Sequence, residues 1–235
     1  MKNVFALAVC FAVLAVAAFA ADAPPYLTAN PEPGNTLGGG GHSGTDATLV
    51  DNLITSGGQV TNGLSGCTYH SSWLALDYTP TSSVTVKQIT FDYIYNSARL
   101  KNSINFRLYS GATPGGSIIR SWTVPASAYT ETSTGWIAFS RTIYRAVVPI
   151  PDQALTGSTK YWFAYTSPNS AAPNIVYWCV RAQLKELQVY WYLNSRWGTC
   201  RAQGGGGDYE QSYAIYDTQT GVEPVSLGKV KTLFK

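Results

Sequence analysis

Asp208 and Glu210 stand two residues apart directly after the four glycines at 204–207, so a strand over 208–217 would carry both carboxylates on one face. Paired acids of that kind serve glycoside hydrolysis when one is held protonated and the other ionised. The plainer expectation is that both sit in solvent at the start of a strand. Cys67 with His70 three residues on offers a second chemistry, a thiol beside a base. Nucleophile and base meet through the fold rather than through closeness in sequence, so this pair carries little by itself.

A third group is aromatic. Tyr177, Tyr190, Tyr192 and Trp197 fall within one segment, 175–197, and tyrosines in a row can stack on sugar rings. If 183–186 makes a tight turn, Val180 faces Val189, Trp178 faces Trp191 and Val176 faces Leu193. The other side of that hairpin carries Tyr177 beside Tyr192, Cys179 beside Tyr190 and Arg181 beside Gln188. Leu184-Lys185 is a poor tight-turn sequence for this register. Two readings stay open: an exposed platform for a glycan, extended by Trp197 in the following loop, or ordinary cross-strand partners flanking a core filled by Trp178 and Trp191.

Metal and phosphate chemistry find no support. The two histidines are His42, in a glycine-rich arm, and His70, and no zinc-type spacing surrounds them. Asp46 and Asp51 lack the Asp-x-Asp pattern of a calcium loop. The 38–41 glycine run has no Gly-Lys-Ser/Thr after it, and no Gly-x-Ser-x-Gly or His-Glu-x-x-His occurs. No enzyme and no cofactor are expected.

The elements that must position these residues are strands. In 103–125, Ile104, Phe106 and Leu108 alternate with Asn105, Arg107 and Tyr109. A loop with Gly111, Pro114, Gly115 and Gly116 follows, and Ile118, Trp122 and Val124 resume the apolar face. Further strands are expected at 73–78, 84–95, 136–140, 143–150, 161–166 and 212–216. Within 84–95 the apolar phase slips from Val84 and Val86 to Ile89, Phe91, Tyr93 and Tyr95, which predicts a bulge near Lys87 and Gln88. With 13% aromatic and only 12% charged residues, the chain is expected to be all-β, one antiparallel, jelly-roll-like β-sandwich over 48–218.

Charge limits the partners. The net +3 comes from the two ends of the chain, and between residues 22 and 220 twelve Lys and Arg balance twelve Asp and Glu. No basic stripe exists for a phosphate backbone, so nucleic acid is not an expected partner.

Residues 1–20 read as a signal peptide: Lys2, an apolar run, then Ala18-Phe19-Ala20 as a cleavage signal. The run is short for a bilayer span, and no transmembrane segment is expected after cleavage. Residues 21–47 form a Gly/Pro-rich flexible arm. Residues 219–235 make a distinct tail, read either as a sorting or attachment signal or as a frayed end. Cleavage leaves Cys67, Cys179 and Cys200. Export favours oxidation, and a Cys179–Cys200 disulfide is the first choice, closing a loop of about 20 residues for roughly 3 kcal/mol.

Several stretches together resemble a known family. Asn105-Phe106-Arg107-Leu108-Tyr109, the Gly-Ala-Thr-Pro-Gly-Gly loop at 111–116, Leu-Thr-Gly-Ser-Thr-Lys-Tyr-Trp-Phe-Ala at 155–164 and Ser-Tyr-Ala-Ile-Tyr at 212–216 are similar to the secreted bacterial β-sandwiches called choice-of-anchor domains. The resemblance spans 48–218 and implies an exported, non-catalytic domain with a C-terminal sorting tail. This chain departs from the commoner tails, having no sortase-type motif and no terminal apolar span. The expectation is a secreted or cell-surface protein with a structural or surface-interaction role, its partner a glycan, a surface protein or another copy of itself; the alternative is a carbohydrate-binding module.

Overall fold

The structure, a computed structural model, describes residues 26–27, 48–55, 57–97, 99–169, 171, 174–182, 189–204 and 209–217. The expected leader, His42 and the glycines beside it, the 183–186 turn, Asp208 and the tail lie outside the described residues.

Two antiparallel sheets face each other. In the smaller one, β13 (Arg196–Thr199), β12 (Val189–Leu193), β4 (Trp73–Tyr78), β10 (Tyr161–Thr166), β6 (Ile104–Ser110) and β7 (Ile118–Val124) are neighbours in that order. The larger is built about β5 (Val84–Tyr95). On one side β5 pairs with β9 (Arg141–Leu155), which carries β8 (Thr130–Ala138). On its other side lie β11 (Val176–Ala182) and β15 (Tyr213–Tyr216). Strand β11 in turn pairs with β3 (Asn62–Ser65) and β14 (Tyr209–Gln211), and β15 with β2 (Thr48–Asp51). The fold is the expected antiparallel β-sandwich. Within the expected arm, β1 (Tyr26–Leu27) pairs with Leu64 and Gly63 of β3. Among the described residues no helix is long and apolar enough to cross a membrane.

Alternation makes the core. Leu74, Leu76, Phe106, Leu108, Phe163, Tyr165 and Trp191 of the smaller sheet meet Ile89, Phe91, Tyr93, Val148, Trp178 and Ile215 of the larger in one buried cluster. At its centre the rings of Phe91, Tyr165 and Trp178 lie 4.6–5.2 Å apart by centroid. Aromatic pairs at such distances contribute about 0.5–1.5 kcal/mol each beyond the area they bury.

The slip in β5 is present as expected: its pairing with β9 shifts between Val86 and Gln88, which keeps Val86 and Ile89 both inward. The β6–β7 hairpin also forms, with Ile104 opposite Val124 and Phe106 opposite Trp122. Ile118 departs from expectation. A register shift between Leu108 and Tyr109 sets Ile118 against outward-facing Tyr109, and it is 47% exposed rather than part of the apolar face.

The 175–197 hairpin does not form. Strand β11 belongs to the larger sheet and β12 to the smaller, where it pairs with β4 and β13. Their apolar faces meet across the sandwich instead of side by side. Periodicity cannot separate these cases, because a strand with one apolar face satisfies it either way.

The expected disulfide is absent. No disulfide joins Cys67, Cys179 or Cys200, and all three are buried. Cys179 points to the outer side of the larger sheet, among Ile54, Val60, Ile94, Trp136 and Phe139, while Cys200 packs in the sandwich core. A disulfide needs Cβ atoms about 4 Å apart, which thiols in separate layers do not offer. The outer layer that holds Cys179 is closed by a buried ion pair: Arg145 Nε donates to Asp92 Oδ1 at 2.7 Å, and the Ser212 hydroxyl donates to Oδ2.

Candidate functional site

The outward face of the smaller sheet is aromatic at one end and polar at the other. Registers place Trp197 opposite Tyr192, and Tyr192 opposite Trp73. Thr166, one residue beyond the Tyr165–Leu74 pair, continues the row to Asn105 and then Thr123. One line across all six strands thus reads Trp, Tyr, Trp, Thr, Asn, Thr.

The next line along the strands reads Thr199, Tyr190, Ala75, Ala164, Arg107 and Ser121. The two alanines at its middle are fully covered by Trp162, Tyr190 and their neighbours, and a groove of about 410 Å³ opens beside them, along the Trp197–Asn105 row. Its wall includes Thr68, Ser71 and Ser72, from the turn that leads into β4, with Trp73, Asn105, Arg107, Tyr192 and Trp197. That volume falls within the range of small-ligand sites.

Each side chain has an identifiable support. Asn194 and Ser195, with φ of 53° and 62°, make the two-residue turn that joins β12 to β13 and brings Trp197 beside Tyr192. Gln203 then fastens this hairpin, its Nε2 donating to the Arg196 carbonyl at 2.9 Å. The Trp197 ring lies 5.3 Å from Tyr192 and 6.2 Å from Tyr109. Behind it sits Gly115 of the β6–β7 loop, where a Cβ would come within 2.6 Å of Trp197 Cδ1. The Arg107 guanidinium rests 4.2 Å over the Trp73 ring. Thr123 donates to Asn105 Oδ1 at 2.8 Å, which leaves the amide nitrogen as the donor end.

Of the aromatic residues singled out in sequence, Tyr190, Tyr192 and Trp197 come together here, all half-buried. Trp197 lies in a strand rather than a loop. Tyr177 is elsewhere: it is fully buried in the other sheet with Cys67 and Ile175, and burial pushes its hydroxyl up to about 12. Trp73, Asn105, Arg107 and Thr166 were not singled out. The outward phase of Asn105 and Arg107 is legible in 104–109, and Trp73 shares the phase of Asp77 in Trp-Leu-Ala-Leu-Asp-Tyr. What sequence alone lacks is the register that aligns them.

Glu210 is fully buried within β14 rather than solvated, and Asp208 lies outside the described residues. Cys67 Sγ is 4.0 Å from His70 Nδ1, but that nitrogen lies 2.9 Å from Ser65 Oγ, and burial pushes the thiol up, away from the reactive thiolate. Asp51 accepts from the Leu53 backbone N–H, and among the described residues no group of three or more His, Cys, Asp or Glu could hold a metal ion.

No protein-family model matches the chain, and no curated protein is significantly similar to it.

Proposed function

We propose that this protein is a secreted, non-catalytic β-sandwich that binds glycans through the outward face of its smaller sheet. The observation that carries this reading is the row Trp197, Tyr192, Trp73 running on into Thr166 and Asn105. Pyranose rings present apolar C–H faces and a belt of hydroxyls, so recognition calls for aromatic planes beside hydrogen-bonding amides and hydroxyls. Both stand here along one groove. The stacking surfaces are held by strand register and by Gly115 and Gln203, so little conformational entropy is left to lose on binding.

The expected leader and the resemblance of 48–218 to choice-of-anchor domains support action outside the cell, at a surface the tail helps to reach. Surface interaction is thereby given a chemical partner.

The direct test is a screen of the purified protein against a glycan array and insoluble polysaccharides, alongside a Tyr192→Ala, Trp197→Ala double variant of unchanged melting temperature. Binding weakened at least tenfold in the variant, about 1.4 kcal/mol, supports the reading. Binding equal in both proteins refutes this site.

A further inference from the structure

The charge arrangement around the groove narrows the ligand class, granted the glycan reading above. Arg107 projects from β6 between Ala164 and Ser121, residues too small to cover it. Its guanidinium rests on the Trp73 ring, and among the described residues no carboxylate pairs with it. Other cations are engaged: Lys160 with Asp77 at 2.8 Å, Arg99 with Glu131, Arg145 with Asp92, and Arg120 with the Asp152 carbonyl. The residues lining the groove include no Asp or Glu.

With its central carbon 4.2 Å from the Trp73 centroid, the Arg107 guanidinium has one face covered by an indole and keeps its N–H groups for a planar carboxylate, which it can take through two parallel hydrogen bonds. The ring attracts the cation and lowers the cost of ordering the side chain. We propose that the groove binds an acidic glycan, a chain of uronate sugars, with a carboxylate seated on Arg107 and neighbouring rings stacked on Tyr192 and Trp197. From Trp197 to Asn105 the row crosses four inter-strand steps, about 19 Å. That length holds several consecutive sugar rings, so stacking and carboxylate capture act on different residues of one chain.

The test compares polygalacturonate with the same polymer after carboxyl reduction, with dextran sulfate as a second anion, for the wild type and for Arg107→Gln and Arg107→Lys. The expected result is at least tenfold tighter binding of polygalacturonate than of the reduced polymer. Arg107→Gln should abolish that preference, and Arg107→Lys should keep part of it, since a point charge remains without the fork. A preference unchanged in Arg107→Gln overturns the proposal, as does dextran sulfate binding as tightly as polygalacturonate. If neutral glycans bind and polyuronates do not, this inference fails while the glycan reading stands; if no glycan binds at all, both fail.

Discussion

The indole N–H groups of Trp178 and Trp191, carried by opposite sheets, donate to the carbonyl oxygens of adjacent residues, Gly66 at 3.3 Å and Ser65 at 2.9 Å. The chain at the end of β3 therefore serves both sheets at once. It gives each buried indole the partner that a polar group deep in a core requires.

This junction has no room for a side chain at residue 66. A Cβ there would stand 2.5 Å from Leu74 Cδ1 and 2.7 Å from Trp178 Nε1. Gly66→Ala should destabilise the protein by about 1–3 kcal/mol, as overpacked cores do. Gly58→Ala, where nothing lies within 4 Å, should change stability by no more than about 0.5 kcal/mol. Urea unfolding of both variants checks the contrast, and equal midpoints would contradict the packing described.

Gly115 links the β6–β7 loop to the aromatic row. Its φ of 101° and the 2.6 Å approach to Trp197 both act against a Cβ. Gly115→Ala should cost about 1–3 kcal/mol from the strained backbone and, by displacing Trp197, should also weaken glycan binding. Calorimetric melting and a binding isotherm on the same sample measure the two effects. Lost stability with full affinity would show that Trp197 does not need this support.

Much of the sandwich is legible in sequence. The spans 73–78 and 161–166 coincide with β4 and β10, and the slip at Val86 marks a true bulge. Partner choice is harder to read. The face pattern of 176–180 suits a hairpin with 189–193 as well as it suits packing across the core, and the second arrangement is the one adopted. The candidate site is legible in part for the same reason. Tyr190, Tyr192 and Trp197 are near in sequence, whereas Trp73, Asn105 and Arg107 join them only through the order β12, β4, β10, β6, which no local pattern encodes. The short turn at Asn194-Ser195 was the available signal that Trp197 begins a returning strand.

The thiols provide a covalent check on the layering. In the chain without its first 20 residues, Cys67, Cys179 and Cys200 should resist alkylation in the native state, because all three are buried. All three should react in denaturant without any reductant. A single reactive thiol under those conditions would show that two had joined in a disulfide.

Alkaline pH should unfold the protein through its tyrosines. Burial pushes the Tyr177 hydroxyl up to about 12 from an ordinary 10.0, and it moves Tyr165 and Tyr213 upward as well. Tyr93 and Tyr95 rise by burial together with their hydrogen bonds to the Glu131 carboxylate. These folded-state values lie above the unfolded ones, so the stability these groups contribute is complete below about pH 10. It is lost as the pH rises further and the unfolded chain releases protons that the folded one retains. Tyrosinate absorbance and near-ultraviolet circular dichroism, followed together, should show the buried set ionising only as tertiary structure disappears. Smooth ionisation of every tyrosine with the fold intact would contradict this.

The central claim is that the outward face of the smaller sheet meets the glycan, and oxidative footprinting read by mass spectrometry tests it most directly. In the free protein the half-buried Trp73, Tyr192 and Trp197 should be oxidised, while Trp162, Trp178 and Trp191, fully buried, should resist. Saturation with a bound polysaccharide should protect Trp73, Tyr192 and Trp197 and leave oxidation at exposed Ile118 and Ile119 unchanged. Protection elsewhere on the protein, with these three aromatics still oxidised at the free rate, would place the ligand on another surface and contradict the account.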